Sequence, residues 1–155
     1  SHPSGLAAAP SGSYLYATDY DARTVLSYAI DSSGLLTAVS ASPFAAGAGP
    51  AAIAVDTTGK YAYVANSQDS NITAYSVSSG VFTSLGTFAT GLRPVAIGID
   101  PSLNQYLYTA NFLGSSVSGF QIQSDGTLLN SQNSPYKSNA QVTAVAAIPH
   151  GSQKK

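Results

Sequence analysis

The chain has 155 residues, of which 44% are apolar and only 8% are charged, and its formal net charge is −1. The lack of a basic patch or of a Lys/Arg-rich amphipathic segment argues against nucleic-acid and membrane partners. Because the chain has no Cys and two His, disulfides, thiolate catalysis and Cys- or His-rich metal sites are excluded, and the sequence predicts no metal and no cofactor.

A pattern of about 45 residues recurs along the whole chain. It starts at Pro3, returns at Pro50 and Pro94, and begins a fourth time at Val142. Each copy opens with a strand rich in Ala, Ile and Val. The second segment of each copy contains Tyr-x-Tyr and lies at 14–19, 61–66 and 106–111. The third segment lies at 25–30, 72–77 and 117–122. The last segment follows Gly34, Gly80 and Gly126. Short alternating segments separated by Gly, Asn, Asp and Ser predict four β-strands per copy, which is typical of a β-propeller blade.

Two tyrosines share one face of each second strand, because side chains alternate along a strand. The pairs are Tyr14/Tyr16, Tyr61/Tyr63 and Tyr106/Tyr108. Their repetition in every copy favours packing between neighbouring blades. The alternative is that the rings stack on sugars or bases.

The sequence therefore predicts an all-β fold, a β-propeller fragment of three four-stranded antiparallel blades at about 3–47, 48–91 and 92–139. The inner strand of a fourth blade is predicted at 142–148. Since propellers commonly have about 4–8 blades, three blades cannot close a ring alone. We expect a partner that closes it, either a second copy or the remaining half of the propeller.

The repeat resembles a known family at Asp56 through Asn66, at Ile72 through Val77 and at Ser42-Pro43-Phe44, which is echoed by Ser134-Pro135-Tyr136. These segments are similar to the seven-bladed lactonase-type propellers, the 6-phosphogluconolactonase-like proteins with Tyr-Val-Thr-Asn repeats. The resemblance covers nearly the whole chain and implies a propeller that hydrolyses a lactone.

The resemblance also implies an Arg-His pair before an inner strand and a Glu after a second strand. Arg93 matches the Arg, but Pro94 stands at the His position. Asn66 or Asn111 stands where the Glu would follow the Tyr-x-Tyr strand. Two of the expected groups are thus absent from these blades.

Arg93 is the leading candidate ligand-binding residue, because a guanidinium at the mouth of the channel holds a carboxylate or phosphate by two parallel hydrogen bonds. The alternatives are a solvated loop arginine and an ion pair between blades. A polar rim on the same face is predicted from the loops after the second strands: Asp19, Asp21, Asn66, Asp69 and Asn111.

These rim residues have a second interpretation as turn caps. Asp19 and Asp21 offer too few oxygens for Ca²⁺, which needs about six to eight. His150 as a general base would need an orienting partner.

Three functions remain open at this point. The first is a non-catalytic platform that binds a small anionic ligand or presents its loops. The second is a lactonase-like hydrolase that uses Arg93 and a base from outside these blades. The third is a structural repeat module for protein assembly. The low charge and the abundant Ser, Thr, Ala and Gly suggest an extracytoplasmic bacterial protein, periplasmic or secreted.

Overall fold

The alternating segments form the predicted strands in a computed structural model, which describes residues 1–147. The first sheet contains β1 (Pro3–Ala8), β2 (Tyr14–Asp19), β3 (Thr24–Ile30), β4 (Leu36–Ala38) and a short β5 (Phe44–Ala45) beside β3. The second contains β6 (Pro50–Val55), β7 (Tyr61–Asn66), β8 (Asn71–Ser78) and β9 (Val81–Ala89). The third contains β10 (Pro94–Ile99), β11 (Tyr106–Asn111), β12 (Ser116–Ile122), β13 (Leu128–Asn130) and a short β14 (Tyr136–Lys137) beside β12.

Each sheet is a meander in which consecutive strands pair antiparallel, in the orders β1-β2-β3-β4, β6-β7-β8-β9 and β10-β11-β12-β13. The inner strands β1, β6 and β10 lie side by side in that order. The predicted all-β propeller fragment with three antiparallel blades is thereby confirmed. We call the three sheets blades 1, 2 and 3.

The two cores lie between the blades, where the sheet faces meet. One joins Tyr16 and Val25 of blade 1 to Val64, Tyr75 and Phe82 of blade 2. The other joins blade 2 to blade 3 through Tyr63, Ile72, Ala74, Leu107, Phe120 and Leu128. Because each core needs two adjacent sheets, no blade buries its apolar residues alone.

In blades 1 and 2, a tyrosine of the second strand packs on the glycine turn of the following blade. A Cβ added to Gly80 would lie 2.7 Å from Tyr14 Cδ1, and one added to Gly126 would overlap the ring of Tyr61. Both glycines have positive φ, 75° and 83°, which favours glycine for a second reason. The tyrosine pairs are therefore used for packing between blades.

Residues 142–147, where the sequence predicts an additional inner strand, are not paired in any sheet. The segment lies beside β10, since a Cβ on Gly98 would be 3.5 Å from the carbonyl oxygen of Val145. In each blade the inner strand pairs with the second strand, and the described residues provide no second strand for this segment. The last residue of the predicted strand, Ile148, lies outside the described residues.

Phe82 is the aromatic centre of the core between blades 1 and 2. Its ring centroid is 4.9 Å from that of Tyr16 and 5.4 Å from that of Tyr75, both edge-on. Phe82→Ala is expected to lower the free energy of unfolding by about 3 kcal/mol or more, because it leaves a cavity in a close-packed core. Urea unfolding measures this. Val81→Ala, at an exposed neighbouring position, is the control and should change it by less than about 0.5 kcal/mol. Equal effects would contradict this description of the core.

The buried tyrosines make stability depend on alkaline pH. Burial raises the pKa of Tyr16 and of Tyr75 from the ordinary 10.0 to about 12. The unfolded chain loses these protons near pH 10, whereas the folded chain keeps them. The free energy of unfolding should therefore fall as pH rises from about 10 to 12. Urea midpoints across this range should fall less steeply for Tyr16→Phe than for the unsubstituted chain, and identical slopes would contradict the prediction.

Candidate functional site

The loops after the second strands and the loops before the inner strands meet on one face of the arc. The amide of Ser67 donates to the carbonyl of Gly49 at 2.7 Å, and the amide of Phe112 donates to the carbonyl of Arg93 at 2.9 Å. These bonds place 67–70 against 46–49, and 112–115 against 90–93. This face carries all the candidate residues predicted from the sequence.

An open cavity of about 480 Å³ lies on this face, at the junction of the three blades. It is lined by Tyr20 of blade 1, by Ser67, Gln68 and Ser70 of blade 2, and by Leu92, Arg93 and Leu113 at blade 3. The lining combines a cation, hydroxyl and amide groups with two leucines. Such a mixture suits a small polar ligand that has an apolar side.

Arg93 contributes the positive charge of this cavity. Its amide donates to Ser70 Oγ at 3.3 Å, and its guanidinium carbon lies 5.5 Å from the centre of the Phe112 ring. Among residues 1–147, Arg93 makes no salt bridge, so neither an ion pair nor a carboxylate bond occupies its donors there. The loop backbone here is left-handed, with φ of 56° at Arg93 and 63° at Gly49, which occupies the same repeat position.

Tyr20 lines the same cavity as Arg93. Its hydroxyl accepts hydrogen bonds from Ser67 Oγ at 3.5 Å and Gln68 Nε2 at 3.3 Å. The hydrogen bond from Ser67 lowers the pKa of Tyr20 most, the one from Gln68 comes next, and the charge of Arg93 adds a smaller effect. All three favour the phenolate. Sequence reasoning missed Tyr20, Ser67, Gln68, Ser70, Leu92 and Leu113. The one available signal was that Tyr20 directly follows Asp19 in the same predicted rim.

Asn66 and Asn111 are fully buried and hold the loops together. Asn66 Nδ2 donates to Asn71 Oδ1 and to Thr73 Oγ1, both at 2.8 Å. Asn111 Nδ2 donates to Ser116 Oγ at 3.1 Å and Ser118 Oγ at 2.9 Å. Neither side chain lines the cavity, so their observed role is to connect the second and third strands of their blades.

The three aspartates of the predicted rim also lie outside the cavity lining. Asp19 is buried and accepts hydrogen bonds from Ser1 Oγ and from the amides of Ala22 and His2, which lower its pKa. Asp21 is exposed and lies 3.7 Å from His2. Asp69 accepts from the amide of Ala48 at 2.7 Å. Arg93 is thus the one predicted site residue that the structure brings to the cavity.

Within residues 1–147, no group of three or more His, Cys, Asp and Glu side chains is arranged to hold a metal ion. His150 lies outside the described residues. The part of the chain that the structure describes has no helix long and apolar enough to cross a membrane.

The three meander sheets, packed side by side along their inner strands, define a β-propeller. The family model for the seven-bladed β-propeller lactonases matches residues 1–96 and 67–150. The chain therefore belongs to this lactonase family of seven-bladed β-propellers. Comparison with curated protein sequences gives no match.

Solved structures with this fold include several bacterial proteins. A candidate 6-phosphogluconolactonase from Bacteroides fragilis superposes with a TM-score of 0.83 at 22% identity, over 92% of this chain and 40% of its own. One from Bacteroides uniformis gives 0.76 at 23% identity, over 83% and 40%. A periplasmic gluconolactonase from Pseudomonas aeruginosa gives 0.69 at 19% identity, over 83% and 39%. The chain thus spans about two fifths of the length of these structures.

The hydrogen bond from Gln68 to Tyr20 can be tested by titration. Gln68→Ala should raise the pKa of Tyr20 towards its ordinary value, because it removes a donor to the phenolate. Titration of the ¹³Cζ tyrosine resonances measures the shift at Tyr20. Gln105→Ala is the control, since Gln105 is an exposed glutamine outside the cavity lining. A Tyr20 titration that is the same in both variants would contradict the described contact.

Proposed function

We propose that the cavity around Arg93 binds a small anionic ligand of the sugar-lactone or sugar-acid class. The carrying observation is that Arg93, which makes no salt bridge among the described residues, lines the same cavity as Tyr20 where three blades meet. Membership of the lactonase family supports the choice of ligand class.

Recognition divides between charge and hydroxyl contacts. The planar guanidinium of Arg93 takes a carboxylate or phosphate through two parallel hydrogen bonds. Tyr20, Gln68 and Ser70 line the same cavity and provide donors and acceptors for hydroxyl groups, and Leu92 and Leu113 provide apolar surface. The cavity is open, so a single ligand would bind with modest affinity and exchange rapidly.

Hydrolysis of the lactone is the second candidate function, and the family match favours it. Opening a lactone requires a base that activates water beside the carbonyl. The cavity lining contains no Asp, Glu, His or Lys side chain that could serve as this base. In this proposal the three blades therefore bind the substrate's anionic group, and the base comes from the remainder of a closed ring.

Ligand binding without catalysis needs no further blades, because the site at Arg93 consists only of described residues. The Pseudomonas relative is periplasmic, and the low charge of this chain fits the same environment. We therefore propose an extracytoplasmic location. The third function considered, a purely structural repeat module, leaves the charge of Arg93 without a use.

Arg93→Gln tests the proposal with 6-phosphogluconate, the stable open form of a phosphorylated sugar lactone, as the probe. Calorimetry or ¹⁵N chemical-shift titration of the 155-residue chain should give binding that weakens about tenfold or more in this variant. Hydrogen bonds to a charged group contribute about 1.5–3 kcal/mol, which corresponds to that factor.

Arg23→Gln is the matched control. Arg23 is the other arginine, is exposed, has a similar φ of 57°, and lies outside the cavity lining. It should leave binding unchanged. Equal loss in both variants would indicate general charge attraction and overturn the site. A lactone-opening assay on the same samples separates the functions, since binding without turnover is the result expected for these three blades.

A further inference from the structure

The loops that enter blades 2 and 3 share one backbone conformation but differ in a single side chain. Gly49 and Arg93 hold equivalent positions, each directly before the proline that starts an inner strand. Their φ angles are 63° and 56°, and each carbonyl accepts the amide of the residue that follows the second strand. Because Arg93 adopts this left-handed conformation, the backbone does not require a glycine at position 49. The absence of a side chain there has a different cause.

The space beside Gly49 is occupied by Tyr20 and by the two residues that contact its hydroxyl. A Cβ added to Gly49 would lie 3.1 Å from Cε2 of the tyrosine ring. It would lie 2.8 Å from Gln68 Cγ and 2.9 Å from Ser67 Oγ, so these side chains would have to move. Ser67 and Gln68 are the hydrogen-bond partners of the Tyr20 hydroxyl. Gly49 therefore leaves room for the ring and for the groups that hold it.

The arrangement is reversed at the next blade boundary. Tyr20, Ser67 and Phe112 occupy equivalent positions, directly after the second strands. Blade 1 brings the large Tyr20 to its boundary with blade 2, which brings glycine. Blade 2 brings the small Ser67 to its boundary with blade 3, which brings Arg93. Each boundary thus combines one large and one small residue, and the two large ones, Tyr20 and Arg93, line the same cavity.

The cavity has room for more than the anionic group that Arg93 would hold. Its volume is about 480 Å³. A phosphate or carboxylate is only a few times larger than a water molecule, whose share of liquid volume is about 30 Å³. Since the amide nitrogen of Gln68 can only donate, the Tyr20 oxygen accepts from it, and the phenolic proton remains for an oxygen atom of the ligand.

We propose that Gly49 makes the site selective for an anion that carries a hydroxylated chain over the bare anion, because it gives Tyr20 its place in the cavity. This inference rests on the proposed function, in which Arg93 holds the anionic group. Tyr20 then donates to an oxygen of the attached chain. Gly49 does not line the cavity, so it is a positioning residue that acts through Tyr20.

The selectivity is measured as the ratio of two affinities, for 6-phosphogluconate and for inorganic phosphate. Calorimetry or ¹⁵N chemical-shift titration of the 155-residue chain gives both, and 6-phosphogluconate should bind more tightly. Tyr20→Phe keeps the ring and removes the hydroxyl. The ratio should fall about three- to tenfold in this variant, which corresponds to the loss of one neutral hydrogen bond. In Arg93→Gln both affinities should fall together.

Gly49→Ala should lower the ratio in the same way, because the added Cβ displaces the groups around Tyr20. Gly12→Ala is the matched control. Gly12 has a similar φ of 72°, and an added Cβ there meets nothing within 4 Å. The control thus imposes the same backbone strain without moving a neighbour, and it should leave the ratio unchanged. Urea unfolding should show that both variants fold.

Titration of the Tyr20 ¹³Cζ resonance follows the same displacement without any ligand. In Gly49→Ala the pKa of Tyr20 should rise towards its ordinary value, because the hydrogen bonds from Ser67 and Gln68 lower it in the unsubstituted chain. In Gly12→Ala the titration should not change. A Tyr20 titration that is identical in the two variants would overturn the positioning role of Gly49.

The outcomes separate this inference from the proposed function. If Arg93→Gln weakens both probes but Tyr20→Phe and Gly49→Ala leave the ratio unchanged, the anion site stands and the role of Gly49 is wrong. If the ratio falls equally in Gly49→Ala and Gly12→Ala, backbone strain is the cause and the role of Gly49 is again wrong. An unsubstituted chain that binds neither probe would overturn the proposed function and this inference with it.

Discussion

The arrangement of the blades depends on one contact, the packing of a tyrosine ring against a glycine turn of the next blade. Tyr14 on Gly80 and Tyr61 on Gly126 bring the second strand of one blade within van der Waals distance of the next blade's backbone. A side chain at either glycine would push the sheets apart. Such a displacement would open the core beside it, where Phe82 or Leu128 fills the space between the sheets.

The close packing of the blades also forms the cavity. Its lining comes from loops of all three blades, and no single sheet carries enough of it to form a site. A hydrogen bond from Ser67 Oγ to the carbonyl of Gly49, at the start of blade 2, and one from the amide of Arg93 to Ser70 Oγ, between blades 2 and 3, hold these loops in register. The position of the Arg93 charge relative to Tyr20 is therefore fixed by how closely the sheets pack.

The fold follows from sequence because its signals are local. Alternation, the Gly turns and the period of about 45 residues each lie within a short stretch of chain, and they predicted the strands of all three blades. The candidate site was harder to predict from the sequence. Arg93 stood out as one of two arginines, but Tyr20 and Gln68 reach it only through the side-by-side packing of blades. Asn66 and Asn111 were placed on the rim by their loop positions, yet they turn inward to bond Thr73 and Ser118. The segment 142–147 has the sequence pattern of a strand, but it pairs in no sheet because the described residues provide no neighbouring strand for it.

Every sheet is built from one uninterrupted stretch of chain, at residues 3–45, 50–89 and 94–137. Within these three sheets, no strand has to wait for a hydrogen-bonding partner made much later in the sequence. During synthesis from the amino end, a blade can form its ladder as soon as its fourth strand has left the ribosome, and the following blade then covers its exposed face. The chain thus grows as a folded arc, one blade at a time.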